Sequence, residues 1–167
     1  GGNIRVGSTD LFVTEACEYT NSFLSFFPKV GIILNIEEDH LDFFKDINDI
    51  RNSFHKFAKL LPADGCLIIN GAIDKLQEIT GDLDCRVITF NKDAVNSDGS
   101  AADYYPSDIT YDELGHPSFT LHCHGEESGS FSLQVPGEHN VCNAVASIAL
   151  ADLLSIDRGI TVSALPD

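Results

Sequence analysis

Basic residues are scarce in this chain. Ten Lys and Arg stand against twenty-six Asp and Glu in 167 residues, a net charge of −16. A nucleic-acid-binding surface needs a basic footprint to displace counterions from phosphates, so nucleic acid is excluded as a partner. The same charge is repelled by an anionic membrane surface. No apolar run approaches the ~20 residues of a membrane-spanning helix. No basic stretch precedes a short apolar core in the manner of a signal peptide. The five cysteines (Cys17, Cys66, Cys85, Cys123 and Cys142) are odd in number, widely spaced and without a Cys-x-x-Cys pair. That pattern speaks against a disulfide framework or zinc ribbon. It fits a reduced, cytoplasmic protein whose cysteines fill the core as small hydrophobes. No Gly-x-Ser-x-Gly elbow occurs, which leaves Ser/His/Asp nucleophilic catalysis without support. The absence of an initiator Met and the abrupt start at Gly1-Gly2 lead to the expectation of an excised piece of a longer protein.

What is present is a chain that is 43% hydrophobic, long enough for one domain with a real core. Up to residue 91, short apolar runs alternate with helical patterns. Leu11-Phe12-Val13, Val30 to Leu34, Cys66 to Ile69 and Arg86 to Phe90 are each followed by polar residues. Unbroken apolar runs suit strands buried on both faces, as in a parallel sheet. Ile47, Ile50, Phe54, Phe57 and Leu61 recur at three- and four-residue steps, the stripe of a helix that Pro62-Ala63-Asp64-Gly65 ends. A shorter helix is expected from Ala72 to Ile79. Between about 100 and 135 apolar and polar residues alternate, which predicts a small antiparallel sheet. Lys92 to Ala102 reads as an exposed loop, and Pro136-Gly137 opens a helix running to about Leu154. The expected fold class is α/β. A mostly parallel sheet flanked by helices (1–91) is followed by a small antiparallel sheet (100–135) and a helix (136–155), all in one partial domain.

Ligands in open α/β sheets bind outside the carboxyl ends of the strands. The polar residues that follow the apolar runs include Glu15, Asp39, His40, Asp42 and Asp74. Asp residues there also serve as caps and turn formers. Glu15 is a poor cap, and His40 lies within Glu37-Glu38-Asp39-His40-Leu41-Asp42, a strongly negative field. A divalent cation held by carboxylate and imidazole would neutralise it, with Mg²⁺ or Mn²⁺ suiting that donor set. A solvated acidic loop is the other reading. In Pro136 to Asn143, Asn140 and Asn143 share a helix face. They either cap free amides or form a base-binding pair, with the Asn amide meeting adenine N6 and N7 and His139 lying against the ring. His122-Cys123-His124 has metal-binding residue types, but in a strand the histidines and the cysteine face opposite ways.

Three ordered segments carry a resemblance: Phe12 to Tyr19 with Ser22-Phe23-Leu24, Asn35 to Asp42, and Pro136 to Asn140 with Asn143-Ala144. Together, over nearly the whole chain, they resemble the central ATP-binding domain of the Mur ligases. The Glu-Ala-Cys-Glu-Tyr form is similar to the branch that joins L-alanine to UDP-N-acetylmuramate. The resemblance implies that Glu15 and His40, 25 residues apart, are catalytic Mg²⁺ ligands. It implies that His139, Asn140 and Asn143 contact the adenine of ATP. It also implies ATP-dependent amide-bond formation through an acyl phosphate, in peptidoglycan synthesis in the bacterial cytoplasm. Other members of the family carry a carbamylated lysine after the histidine motif, and no such role falls on Lys56. No Gly-Lys pair occurs anywhere in the chain. The family's phosphate loop is therefore expected upstream of Gly1, with the UDP-binding and amino-acid-binding domains also outside the chain. The chain alone is expected to be inactive. A non-catalytic binding domain of the same fold and a metal-dependent phosphohydrolase are the rival readings.

Overall fold

In the computed structural model, which describes residues 6–7 and 10–165, the unbroken apolar runs become parallel strands. These are β1 (Val30–Ile33), β2 (Cys66–Asn70) and β3 (Arg86–Phe90), in register at Val30↔Cys66 and Cys66↔Arg86. The reason for unbroken apolarity is visible in β2. Leu67 and Ile69 face one hydrophobic cluster, Cys66 and Ile68 face the other, and all four are at most 3% exposed. The first cluster is closed by helices α1 (Ile47–Ala58) and α2 (Leu76–Thr80), through Phe57, Ala58, Leu76 and Ile79. The second is closed by α3 (Glu138–Leu153), through Val141, Val145 and Ile148.

The antiparallel arm is not a separate sheet. β4 (Tyr104–Tyr111) pairs parallel to β3 at Phe90↔Tyr104, and β5 (Pro117–Cys123) and β6 (Glu126–Ser132) follow antiparallel. One six-stranded sheet results, in the order β1 to β6. Phe119, Leu121 and Phe131 of the arm share the α3 cluster. A last helix, α4 (Arg158–Ala164), is tied back by Arg158, whose guanidinium donates to Asp152 at 2.6 Å while Tyr104 donates to the same carboxylate at 3.1 Å. No helix among the described residues is long and apolar enough to cross a membrane.

Four expectations need correction. Leu11-Phe12-Val13 is not a strand. Its side chains are 57–87% exposed, and without a neighbour to take its N–H and C=O groups an apolar run cannot hold an extended ladder. Among the described residues the sheet therefore ends at β1. Helix α2 starts at Leu76 rather than Ala72, because the preceding residue Lys75 is left-handed (φ 55°) and breaks the helical path. Cys17 is exposed, so it is no core filler, while Cys66 and Cys85 are buried on opposite faces of the sheet. Burial pushes both of these thiols up.

The segment from 92 to 102 is also more ordered than an exposed loop. Asn96 is 5% exposed, and its amide donates to Thr89 Oγ1, Ser100 Oγ and the Ala101 carbonyl at 3.1–3.2 Å. Its Oδ1 lies against Gly71, where a Cβ would come within 1.7 Å. Ser97 donates from its backbone to the Gly71 carbonyl (2.7 Å) and from its hydroxyl to the Ile73 carbonyl (2.6 Å). At the loop's tip Asp98 accepts from Gln77 (2.7 Å), the Ser100 hydroxyl (2.6 Å) and the Ser100 amide (3.0 Å). These donors, Gln77 foremost, hold its carboxyl down to about 2, against an ordinary 3.8. A carboxyl depressed in the folded state stabilises above its unfolded value and loses that contribution as pH falls through the folded one. The gap in urea midpoint between the native chain and Asp98→Ala is expected to be constant above about pH 5 and to close by about pH 2. A gap that persists unchanged at the acid end contradicts this.

Candidate functional site

The carboxyl ends of the parallel strands open on a cleft of about 270 Å³. Its walls include Glu18, Glu37, Glu38 and Asp39, and its floor is Phe44, Ile50 and Phe54. Helix α1 supplies the floor because Asp46 starts it there, accepting from the Asn48 and Asp49 amides at 2.9 and 3.0 Å. His40 stands beside the cleft in a left-handed backbone (φ 52°), rare for a residue with a Cβ. Asp39 accepts from the His40 amide (2.7 Å), and the His40 carbonyl accepts from the Phe43 and Phe44 amides. The turn is thus fixed from both sides.

Around the imidazole the structure gathers Glu18, Asp39 and His40, with one ligand atom from each lying within 4.8 Å of the others. Glu18 Oε1 is 3.5 Å from Nε2, and Asp39 Oδ1 is 3.9 Å from Nδ1. Two carboxylate oxygens and one imidazole nitrogen suit a hard or borderline divalent cation, so the donor set fits Mg²⁺ or Mn²⁺. Glu15 is exposed and stands outside this group; among the described residues it forms no ion pair with His40. Glu18, three residues further along the same motif, is the glutamate that contacts the ring. Sequence reasoning passed it over, although it is the second acid of Glu-Ala-Cys-Glu-Tyr. Asp42 and Asp74 have other partners. Asp42 accepts from the Tyr19 hydroxyl (2.7 Å), which raises the Tyr19 phenol above its ordinary value. Asp74 pairs with Arg51 (2.8 Å), a buried guanidinium that also donates to Asn48.

A tight turn delivers Glu18 and Tyr19 to His40. The 3-10 segment Tyr19–Ser25 contains two left-handed residues, Thr20 and Asn21. Phe23 anchors it, 2% exposed and stacked on Phe57 with ring centroids 4.9 Å apart. Asn21 also hydrogen-bonds Ser53 of α1. Strain of this kind persists only where the surroundings over-determine it, and here buried aromatic packing does so.

The second constellation opens α3. Gly137 has φ 109° and leaves room for the His139 ring, which a Cβ would meet at 2.7 Å. Asn140 is half-buried and donates to the Pro136 carbonyl (2.8 Å); Asn143 is exposed and reaches Asn140 Oδ1 at 3.5 Å. Neither side chain accepts from a helix amide, so neither is a cap. The Lys92–Glu138 pair (4.0 Å) sets the start of α3 beside the residue that follows β3 by two. Both constellations therefore lie on the carboxyl side of the parallel strands. Among the described residues the His122-Cys123-His124 triplet gathers no metal group. His122 stacks on Tyr105 and meets Ser107 Oγ at 2.9 Å, and His124 pairs with Asp103 at 3.2 Å. Lys56 is exposed on α1.

Comparisons with known proteins identify the family. A UDP-N-acetylmuramate–L-alanine ligase of Lachnospira eligens is 55% identical over 94% of this chain, and one of Clostridium novyi is 48% identical over 93%. The chain spans about a third of the length of these relatives: 33% and 32%. Among solved structures, UDP-N-acetylmuramate:L-alanyl-gamma-D-glutamyl-meso-diaminopimelate ligase from Neisseria meningitides superposes with a TM-score of 0.71. It is 25% identical over 87% of this chain and 41% of its own. The UDP-N-acetylmuramate-alanine ligase of Thermotoga maritima gives 0.68 at 26% identity, over 87% of this chain and 30% of its own. A sequence profile described as the Mur ligase middle domain matches residues 3–151. The chain belongs to the Mur ligase middle-domain family.

Proposed function

We propose that this chain is the nucleotide-handling part of a ligase that joins L-alanine to UDP-N-acetylmuramate at the expense of ATP, in the bacterial cytoplasm. The observation that carries the reading is the imidazole of His40, held in a strained turn among carboxylates at the mouth of the parallel sheet. His40 would hold Mg²⁺ together with Glu15, the carboxylate that the family resemblance assigns, while Glu18 and Asp39 lie against the imidazole beside it. The ion would supply the positive charge that lets phosphates and a substrate carboxylate approach one another in a domain of net charge −16. Glu15 is the acid of the first motif that the resemblance assigns to the ion, and it is exposed. Glu18 and Asp39 flank the ring and orient it.

The start of α3 binds the base. Asn140 presents an amide able to accept from adenine N6 and donate to N7, while His139 covers the ring and Asn143 braces Asn140 through its Oδ1. The reaction is transfer of the γ-phosphoryl group to the muramyl carboxylate, attack of the alanine amine on the acyl phosphate, and loss of phosphate. The UDP-sugar and the selection of alanine belong to parts of the ligase outside this chain.

The adenine assignment is tested by Asn140→Ala in the full-length gene product. The ATP KM is expected to rise with little change in kcat, a loss of about 1–2 kcal/mol for buried hydrogen bonds. An effect confined to the UDP-sugar KM would show that another ligand occupies this segment.

A further inference from the structure

Tyr19 takes no part in the assignments above, yet it makes the closest aromatic contact to His40. The two ring centroids are 4.6 Å apart with planes 32° apart. The Tyr19 hydroxyl donates to Asp42 Oδ2 at 2.7 Å. Phe43 closes the far side, edge-on to Tyr19 at 6.0 Å. Tyr19 itself is fixed by the turn it opens, where Ser22 Oγ donates to the Cys17 and Tyr19 carbonyls at 2.8 and 3.0 Å. Two separately strained turns, one around Thr20-Asn21 and one at His40, thus meet at this pair of rings.

Asp42 is two residues from His40, but it is absent from the group of ligand atoms that Glu18, Asp39 and His40 form. Its carboxylate is turned to the phenol instead. An imidazole with a free face and a loose neighbouring carboxylate can rotate about its side-chain bonds and direct its nitrogens elsewhere. A ring covered on one face cannot, and partners that orient a ligating histidine control how well it binds.

We propose that Tyr19 is a positioning residue for His40, its ring fixing the imidazole plane and its hydroxyl holding Asp42 away from the ligand atoms. The inference rests on the reading of His40 as a cation ligand. It makes Tyr19 part of the ion site without touching the ion.

The test is Mn²⁺ binding to the full-length gene product, with Mn²⁺ alone as the probe and the free ion followed by electron paramagnetic resonance. Tyr19→Leu is expected to weaken Mn²⁺ affinity by about 10- to 100-fold, the scale for losing a partner that orients a metal ligand. Tyr19→Phe keeps the ring contact and is expected to fall between this and the native protein. Asp42→Asn keeps an acceptor for the phenol and is expected to stay within about 3-fold of the native value. In a His40→Asn background, Tyr19→Leu should have no further effect. Thermal midpoints of the variants establish that each is folded at the temperature of measurement. If Tyr19→Leu lowers the midpoint but leaves Mn²⁺ affinity unchanged, Tyr19 is only structural and the inference fails. If Asp42→Asn weakens binding more than Tyr19→Leu, Asp42 is itself a ligand and the inference fails. If His40→Asn leaves Mn²⁺ affinity unchanged, or the native protein binds no Mn²⁺, the cation reading itself is wrong, and this inference with it.

Discussion

Replacing His40 by Ala in the full-length gene product is expected to lower alanine-dependent ADP release by about 10²- to 10³-fold, the scale for removing one group that stabilises developing charge. Glu15→Ala is expected to do the same. The backbone at His40 is left-handed, so Ala there adds strain unrelated to catalysis. His40→Asn removes that ambiguity, because asparagine visits the left-handed region more readily than other side chains. It should retain the native thermal midpoint and still lose the activity. Glu18→Ala separates the two glutamates of the motif. Glu18 contacts the ring at 3.5 Å and, as an orienting group, should cost less than Glu15. A Glu18 effect larger than that of Glu15 would transfer the ligand role to Glu18. Unchanged rates in the His40 and Glu15 variants alike would remove the cation from the mechanism.

The largest expected effect on stability comes from a glycine. In Gly71→Ala the new methyl would overlap Asn96 Oδ1 at 1.7 Å, a distance no side chain tolerates. Asn96 must then move, and it is the residue that ties the segment after β3 to Thr89, Ser100 and Ala101. Overpacking a tight site costs about 1–3 kcal/mol, and loosening a set of buried hydrogen bonds adds about 1 kcal/mol. Urea unfolding of Gly71→Ala should therefore show a loss of roughly 3 kcal/mol. In an Asn96→Ala background the same substitution should cost less than half as much, because the obstructing atom is gone. Equal costs in both backgrounds would place the strain elsewhere.

The parallel part of the sheet was legible because burial on both faces leaves its mark on composition. Cys66-Leu67-Ile68-Ile69 contains no polar residue, and each member is at most 3% exposed. Helix α1 was legible from its stripe, and His40 from the acids around it. Leu11-Phe12-Val13 misled for the same reason that β2 succeeded. Apolarity signals that a segment seeks cover, but it does not say whether a neighbouring strand is at hand. Asn96 was invisible because a loop held by side-chain amides has no periodicity. Glu18 and Tyr19 were within a quoted motif, but spacing along the chain could not show that the left-handed pair Thr20-Asn21 would swing them onto His40. Such backbone states are set by Phe23 packing on Phe57, a contact between segments more than thirty residues apart.

Among the described residues strand β1 pairs with β2 on one side only, and this has a consequence for the chain in solution. Its outer row of amides and carbonyls is a template for any extended peptide, and neither proline nor lysine interrupts Val-Gly-Ile-Ile. Ile32 and Leu34 are 37% and 45% exposed along it. Mutual repulsion between bodies of charge −16 opposes two molecules joining there. That protection reaches only about 8 Å at physiological ionic strength. Salting the solution therefore removes the barrier to aggregation while strengthening the hydrophobic attraction behind it, so dilute buffer is the medium in which this chain keeps longest.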